Sequence, residues 1–320
     1  MSRALHALMT GLVDYAGLFP PAGLDMTTAV DNYARYRTQA ESWMLGRFIV
    51  PAGRLDTAAA ACAEYLSSGD CWGFSVLLGS RENPAESLDL IPGDGRAVAA
   101  FESELESRAR VEVLETALPA DVSGDALAEF LDRLKDALVT AHLDQRELFL
   151  ELPAAGDDVV AVAAIAELSA SSAGTGRPFP RIGVKLRCGG LTPEAFPSCA
   201  RVARVVAACR DHQVALKCTA GLHHPVRCQA SEPEVMMHGF LNVFGAGLLA
   251  HALKLEEGEL ERCVAETEAD AFTLRGGSFG WRDHLVDAAT TRQLRSRFLC
   301  GFGSCSFKEP REDLFNLGLL

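Results

Sequence analysis

The sequence predicts one (β/α)8 TIM barrel over residues 1–320, with an insertion at 222–297 between the seventh and eighth strands. Three observations carry that prediction. Short apolar runs alternate with amphipathic helical stretches along the whole chain, which implies parallel pairing and right-handed crossovers. Eight such runs are present, the number that closes a barrel. A content of 48% hydrophobic residues in 320 supplies enough apolar surface for one large core. An open doubly wound sheet is the rival architecture.

In order, the strands are LVDYAGLF (12–19), GRFIVPA (46–52), GFSVLLG (73–79) and VEVLETAL (111–118), then LFLELP (148–153), IGVKLRCGG (182–190), VALKCTAG (214–221) and FLCGFGSCSF (298–307). Helical periodicity marks 26–37, 57–66, 124–142, 158–169 and 194–212. Pro193 suits the first turn of the last of these, with Thr192 as its candidate cap. Residues 222–297 are too long for one loop and one helix. They hold a helix near 238–254 and a strand-like AFTLRGG (271–277), which competes with 298–307 for the eighth place.

A formal net charge of −13 argues against a general nucleic-acid or anionic-membrane binder. No apolar run reaches the length of a membrane span. The first residues lack the apolar run of a signal peptide, and the ten cysteines include no CxxC pair. They read as reduced thiols of a cytoplasmic protein, Cys188 and Cys305 among them as structural residues. The expected partner is a small anionic substrate, with no nucleic acid and no membrane; a homodimer is compatible with the sequence.

The strands carry charge on one face. In IGVKLR, Ile182, Val184 and Leu186 alternate with Lys185 and Arg187; in VALKCT, Leu216 and Cys218 alternate with Lys217 and Thr219. A closed barrel packs the apolar face on helices and turns the other inward, at the C-terminal mouth where such barrels build active sites. The same alternation turns Glu115, Glu151 and Asp14 inward. Two adjacent lysines repel, and repulsion with desolvation favours a neutral amine, a nucleophile towards carbonyl groups. A static salt-bridge network is the bland alternative.

Beyond the seventh strand, His223 and His224 stand at the rim, and His238 follows. Substrate contact or proton shuttling is one reading of these histidines; zinc or iron held by His223, His238 and Glu151 is another, and capping or loop packing is a third. The turns RGGSFG (275–280) and GFGSCS (301–306), the latter with Gly303, Ser304 and Ser306, present backbone N–H groups to an anion, as Arg187 and Arg227 present charge.

The ordered set VKLRCGGLTPE (184–194), LKCTAGL (216–222), LVDYAGLF, VEVLETALP and GFGSCSF resembles the class I 2-deoxyribose-5-phosphate aldolases. The similarity touches most of the chain and is thin between motifs. It implies a barrel in which Lys185 forms a Schiff base, Lys217 tunes its pKa, and Glu115 stands where the family keeps a relay aspartate. Asp14 matches an aspartate in the family's opening segment, and the 301–307 turn matches its phosphate site. Leu186, Arg187 and Cys188 replace the family's threonine-rich text, and the insertion with LHHPVR and MMHGFLN has no counterpart there. The expectation is a lyase that makes or breaks a carbon–carbon bond without a cofactor, with Glu115 and Asp14 moving protons, on a substrate of its own. A metal-dependent hydrolase or lyase using His223, His224 or His238, and a non-catalytic metabolite-binding barrel, are the alternatives.

Overall fold

The computed structural model describes residues 2–66, 71–81, 83–120, 122–173, 179–231, 233–274 and 276–320. Eight parallel strands close into a barrel. They are β1 (Val13–Tyr15), β2 (Leu45–Pro51), β3 (Trp72–Leu77), β4 (Ala109–Ala117), β5 (Glu147–Glu151), β6 (Ile182–Arg187), β7 (Ala215–Thr219) and β8 (Leu299–Ser304). Each pairs with its sequence neighbours, and β8 closes on β1 through Asp14 opposite Gly303. Every expected strand is present. Of AFTLRGG, only Phe272–Thr273 is a strand, and it belongs to a separate antiparallel sheet with Ser278–Trp281 and His284–Asp287. Arg275 lies outside the described residues.

Alternation sets the two faces as expected. Val184, Leu186 and Leu216 join the main core against the helix layer. Val113, Phe149 and Ala215 instead form a second buried cluster inside the barrel, two residues before Glu115, Glu151 and Lys217 on their strands. This apolar plug floors the charged layer above it. Gly183 belongs to the plug for a steric reason: a Cβ there would lie 2.6 Å from the Phe149 ring and 2.7 Å from the Ala215 carbonyl oxygen.

The helix Met26–Arg37 has the expected bounds, and Gly124–Thr140 and Asp158–Ala173 lie within a few residues of them. The α-helix after β6 starts later than expected, at Cys199, capped by Ser198, whose hydroxyl accepts from the Arg201 N–H at 3.1 Å. Thr192 precedes only a single 3-10 turn and makes no side-chain cap bond. No periodicity announces the helix Pro84–Glu104, because Pro92, Gly93 and Gly95 interrupt the pattern.

Residues 222–297 divide into two jobs. A hairpin of Cys228–Ser231 and Glu234–Met237 stands at the mouth. The helix Phe240–Leu253 that follows is buried on all sides through Ala250. Phe240 and Phe244 pack on Phe302 of β8, while Phe279 of the small sheet lies against Gly245. Apolar residues all round are what a helix enclosed on every side requires. The expectation that the whole insertion neighbours the mouth is thus narrowed to 222–239, and the rest builds the outer wall.

Candidate active site

Strand register places Lys185 directly beside Lys217 and Glu151 beside Lys185. The carboxylate of Glu115 reaches between the two lysines, 2.7 Å from each amine through separate oxygens. Lys185 also meets Glu151 at 2.8 Å, and Lys217 meets Asp14 at 2.5 Å. Arg187 takes the other Glu151 oxygen at 2.8 Å. Ser75 on β3 donates to Glu115 at 2.5 Å and lies 3.3 Å from the Lys217 amine. The Arg47 N–H donates to the second Asp14 oxygen at 2.7 Å. Apart from Arg187, whose side chain is half exposed, this network is almost wholly withdrawn from water.

Three carboxylates therefore face three cations, and that balance reverses one expectation. Burial pushes the Lys185 amine down, but Glu115 and Glu151 push harder, and the net direction is up. Burial likewise opposes Lys217, and Asp14 and Glu115 overcome it. Desolvation alone would raise Glu115, but the two ammonium groups hold it far below the carboxylate range, and Lys185 with Arg187 holds Glu151 down. Repulsion between the lysines does not make either neutral, because Glu115 sits between them. Both are ammonium groups at neutral pH.

Above the network opens a cavity of about 600 Å³. Lys185, Glu115, Arg187, Thr219 and Gly303 line it, whereas Lys217, Asp14 and Glu151 do not. Part of its wall is apolar: Phe19, Pro20 and Pro21 after β1, Ile49, Leu77, Phe196, and Met237 of the hairpin. His223 and His224 line the rim as expected, each on a carboxylate of the last helix, Lys308–Asn316. His223 Nδ1 is 3.0 Å from Glu309 and His224 Nδ1 is 2.6 Å from Asp313.

Other expected contributors lie elsewhere. Arg227 does not line the cavity; its Nη1 is 3.2 Å from His238 Nδ1 and 3.5 Å from the Met236 carbonyl. His238 is buried, with Nε2 2.7 Å from the Pro197 carbonyl, and burial lowers it to about 4. With His238 so engaged and the rim histidines held by Glu309 and Asp313, the expected metal set of His223, His238 and Glu151 does not converge. Among the described residues no group of three metal-ligating side chains comes together.

The eighth-strand turn is also revised. Ser304 donates to the Ser306 carbonyl at 2.7 Å, the Ser306 hydroxyl accepts from the Glu309 N–H at 3.2 Å, and neither lines the cavity. Cys305, expected to be structural, does line it. Of 276–280, Ser278–Gly280 lie on the outer sheet and the two glycines before them form its turn. The glycines after β6 and β7 have a packing duty: a Cβ on Gly221 would lie 2.7 Å from the Cys188 carbonyl oxygen and 2.8 Å from the Gly189 Cα.

Sequence reasoning missed Ser75, Glu309 and Asp313. Ser75 was accessible from alternation in GFSVLLG; the acids sit on a helix whose docking onto the rim no local pattern announces. The fold and this cavity define a TIM barrel with an ion-paired floor at the C-terminal ends of its strands, an architecture that is commonly enzymatic. No known family model matches the chain, and no curated protein matches its sequence. None of the described helices is long and apolar enough to cross a membrane.

Proposed function

We propose that the chain is a class I aldolase-like lyase, in which Lys185 forms a Schiff base with a small anionic carbonyl compound. One observation supports this reading above all. Of the two buried amines, only Lys185 lines the cavity, and a carboxylate shared with Lys217 holds it there. Glu151, 2.8 Å away, takes the ammonium proton, and the free amine adds to the substrate carbonyl. Returning the proton to the new hydroxyl expels water and leaves an iminium. Glu115, which lines the cavity, takes the proton of the hydroxyl on the β-carbon. The bond between the α- and β-carbons then breaks, its electrons pass to the iminium, an aldehyde leaves, and the enamine that remains takes the proton back at its α-carbon. Hydrolysis of the resulting iminium frees the second product and the lysine. Lys217 stays an ammonium throughout and fixes Glu115 and Asp14.

The test is borohydride trapping with a series of carbonyl compounds, followed by peptide mapping. A reduced adduct on Lys185, absent in Lys185→Met, supports the mechanism; no adduct with any carbonyl sinks it. Because both lysines start as ammonium groups, the trapping rate should climb through the alkaline range.

A second reading is favoured by the completeness of the pairing, since both amines already have carboxylate partners. In it the network is static and the barrel binds a metabolite without reacting. Saturable binding with no adduct at any pH would select it.

A further inference from the structure

We infer that the substrate carries a carboxylate next to its reactive carbonyl, as a 2-oxo acid does, and that Arg187 binds this carboxylate; the mouth is not built for a phosphate. The position assigned to the carbonyl rests on Lys185 being the reacting amine.

Two observations meet here. Arg187 lines the cavity and is half exposed, with only its Nε committed, to Glu151 at 2.8 Å. Neither Nη atom has a partner among the described residues, so four N–H donors of a side chain that lines the cavity are uncommitted. Lys185 holds the other oxygen of the same carboxylate at 2.8 Å. Guanidinium and amine are therefore separated by the width of one carboxylate. A carbonyl carbon bound to the Lys185 nitrogen places an adjacent carboxylate oxygen roughly 3 to 4 Å from that nitrogen, by ordinary bond lengths. From there a charge-assisted bond to Arg187 of about 2.8 Å closes the gap.

The second observation concerns the far side of the mouth. Ser304 and Ser306 spend their hydroxyls on the turn itself. Glu309 lines the cavity beside them, and Asp313 stands behind His224. A phosphate dianion there would meet the Glu309 carboxylate directly, with the Asp313 charge next behind His224. Arg227 is turned away onto His238. Apart from histidines, Lys185 and Arg187 are the only cationic side chains lining the cavity among the described residues.

The experiment compares pyruvate, its neutral near-isostere hydroxyacetone, and dihydroxyacetone phosphate in borohydride trapping at Lys185, in wild type and Arg187→Leu. Alongside it, calorimetric titration with lactate and with inorganic phosphate measures binding without a carbonyl. Pyruvate should reach half-trapping at a roughly ten- to hundredfold lower concentration than hydroxyacetone, the range of one charge-assisted hydrogen-bonded pair. Arg187→Leu should collapse that ratio, and Arg187→Lys should restore part of it. Lactate should bind wild type and lose affinity in Arg187→Leu. A preference for the phosphorylated ketone, tighter binding of phosphate than of lactate, or a pyruvate ratio unchanged in Arg187→Leu overturns the inference. If no carbonyl is trapped, the Schiff-base mechanism fails and the carboxylate site is decided by lactate alone: Arg187-dependent binding upholds it, and no binding overturns it.

Discussion

Replacing Glu115 by glutamine keeps the shape of the central carboxylate and removes its charge. Glu115 accepts from Lys185 and Lys217 at 2.7 Å each and from Ser75 at 2.5 Å. In the native layer Asp14, Glu115 and Glu151 oppose Lys185, Lys217 and Arg187; the variant leaves two anions against three cations. Lys185 is 4% exposed and Lys217 1%, so water cannot make up the loss. Removing one partner from a buried ion pair costs about 3–5 kcal/mol. Against a typical stability of roughly 5–15 kcal/mol, that is a large share.

The pH dependence follows from the directions of the shifts. Glu115 is held below its ordinary value of 4.5, so its contribution is present above that pH and is lost as pH falls further. The lysines are held above 10.5, so theirs is present below that pH and is lost as pH rises through the folded values. Glu115→Gln should therefore lose about 3 kcal/mol or more in urea unfolding at pH 7. The deficit should narrow at alkaline pH, where the variant's amines discharge first. With one carboxylate partner left, Lys185 should also be trapped by carbonyls at lower pH than in wild type. A variant within about 1 kcal/mol of wild type at pH 7, a difference an ordinary hydrogen bond would explain, would refute the bridging role of Glu115.

Three further outcomes are expected. Gly183→Ala drives a methyl into the Phe149 ring and the Ala215 carbonyl, and overpacking of this kind costs roughly 1–3 kcal/mol, read as a lower midpoint in thermal or urea unfolding. His238 is buried neutral and lowered to about 4, so its preference stabilises the fold above its unfolded value near 6.5 and is lost as pH falls towards 4, a swing of roughly 3 kcal/mol. His238→Gln, which keeps a donor for Pro197, should flatten that acid limb; His251 is lowered in the same direction and remains as an internal control. Added formate should accelerate trapping of hydroxyacetone, because an anion on Arg187 loosens the guanidinium from Glu151 and leaves that carboxylate freer to take the Lys185 proton. The acceleration should vanish in Arg187→Leu, and no effect of formate in wild type would count against this coupling.

The barrel was legible because a two-residue period states which side of a strand each residue faces, and a parallel barrel gives both sides a fixed meaning. That logic correctly turned Lys185, Lys217, Glu115, Glu151 and Asp14 into one layer. The charge state of the lysines was not legible. Alternation gives direction but not reach, and only the side-chain contacts of the folded barrel show Glu115 arriving between two amines that would otherwise repel. Ser304 and Cys305 illustrate a second limit: Gly303 and Cys305 line the cavity while Ser304 and Ser306 do not, so the two-residue period runs on through the turn, and it was the glycine- and serine-rich text rather than alternation that pointed to the serines. The helix Phe240–Leu253 marks a third. Its uniform apolarity signals burial, but only the fold reveals that a small sheet and a further helix enclose it from outside.

A cage that holds Lys185 as a cation looks at first like an obstacle to nucleophilic chemistry. The intermediate that must persist in the proposed reaction is itself a cation, since an iminium on Lys185 carries the same charge as the ammonium it replaces. Glu115 and Glu151 then face the same positive charge before and after bond formation, and the buried layer never has to absorb a net change. Only the brief free amine is disfavoured, and its proton has a short path to Glu151. On this argument Lys217 does not act by depressing its neighbour. It pins Glu115 and Asp14 in place while Lys185 changes its bonding, which explains why it does not line the cavity.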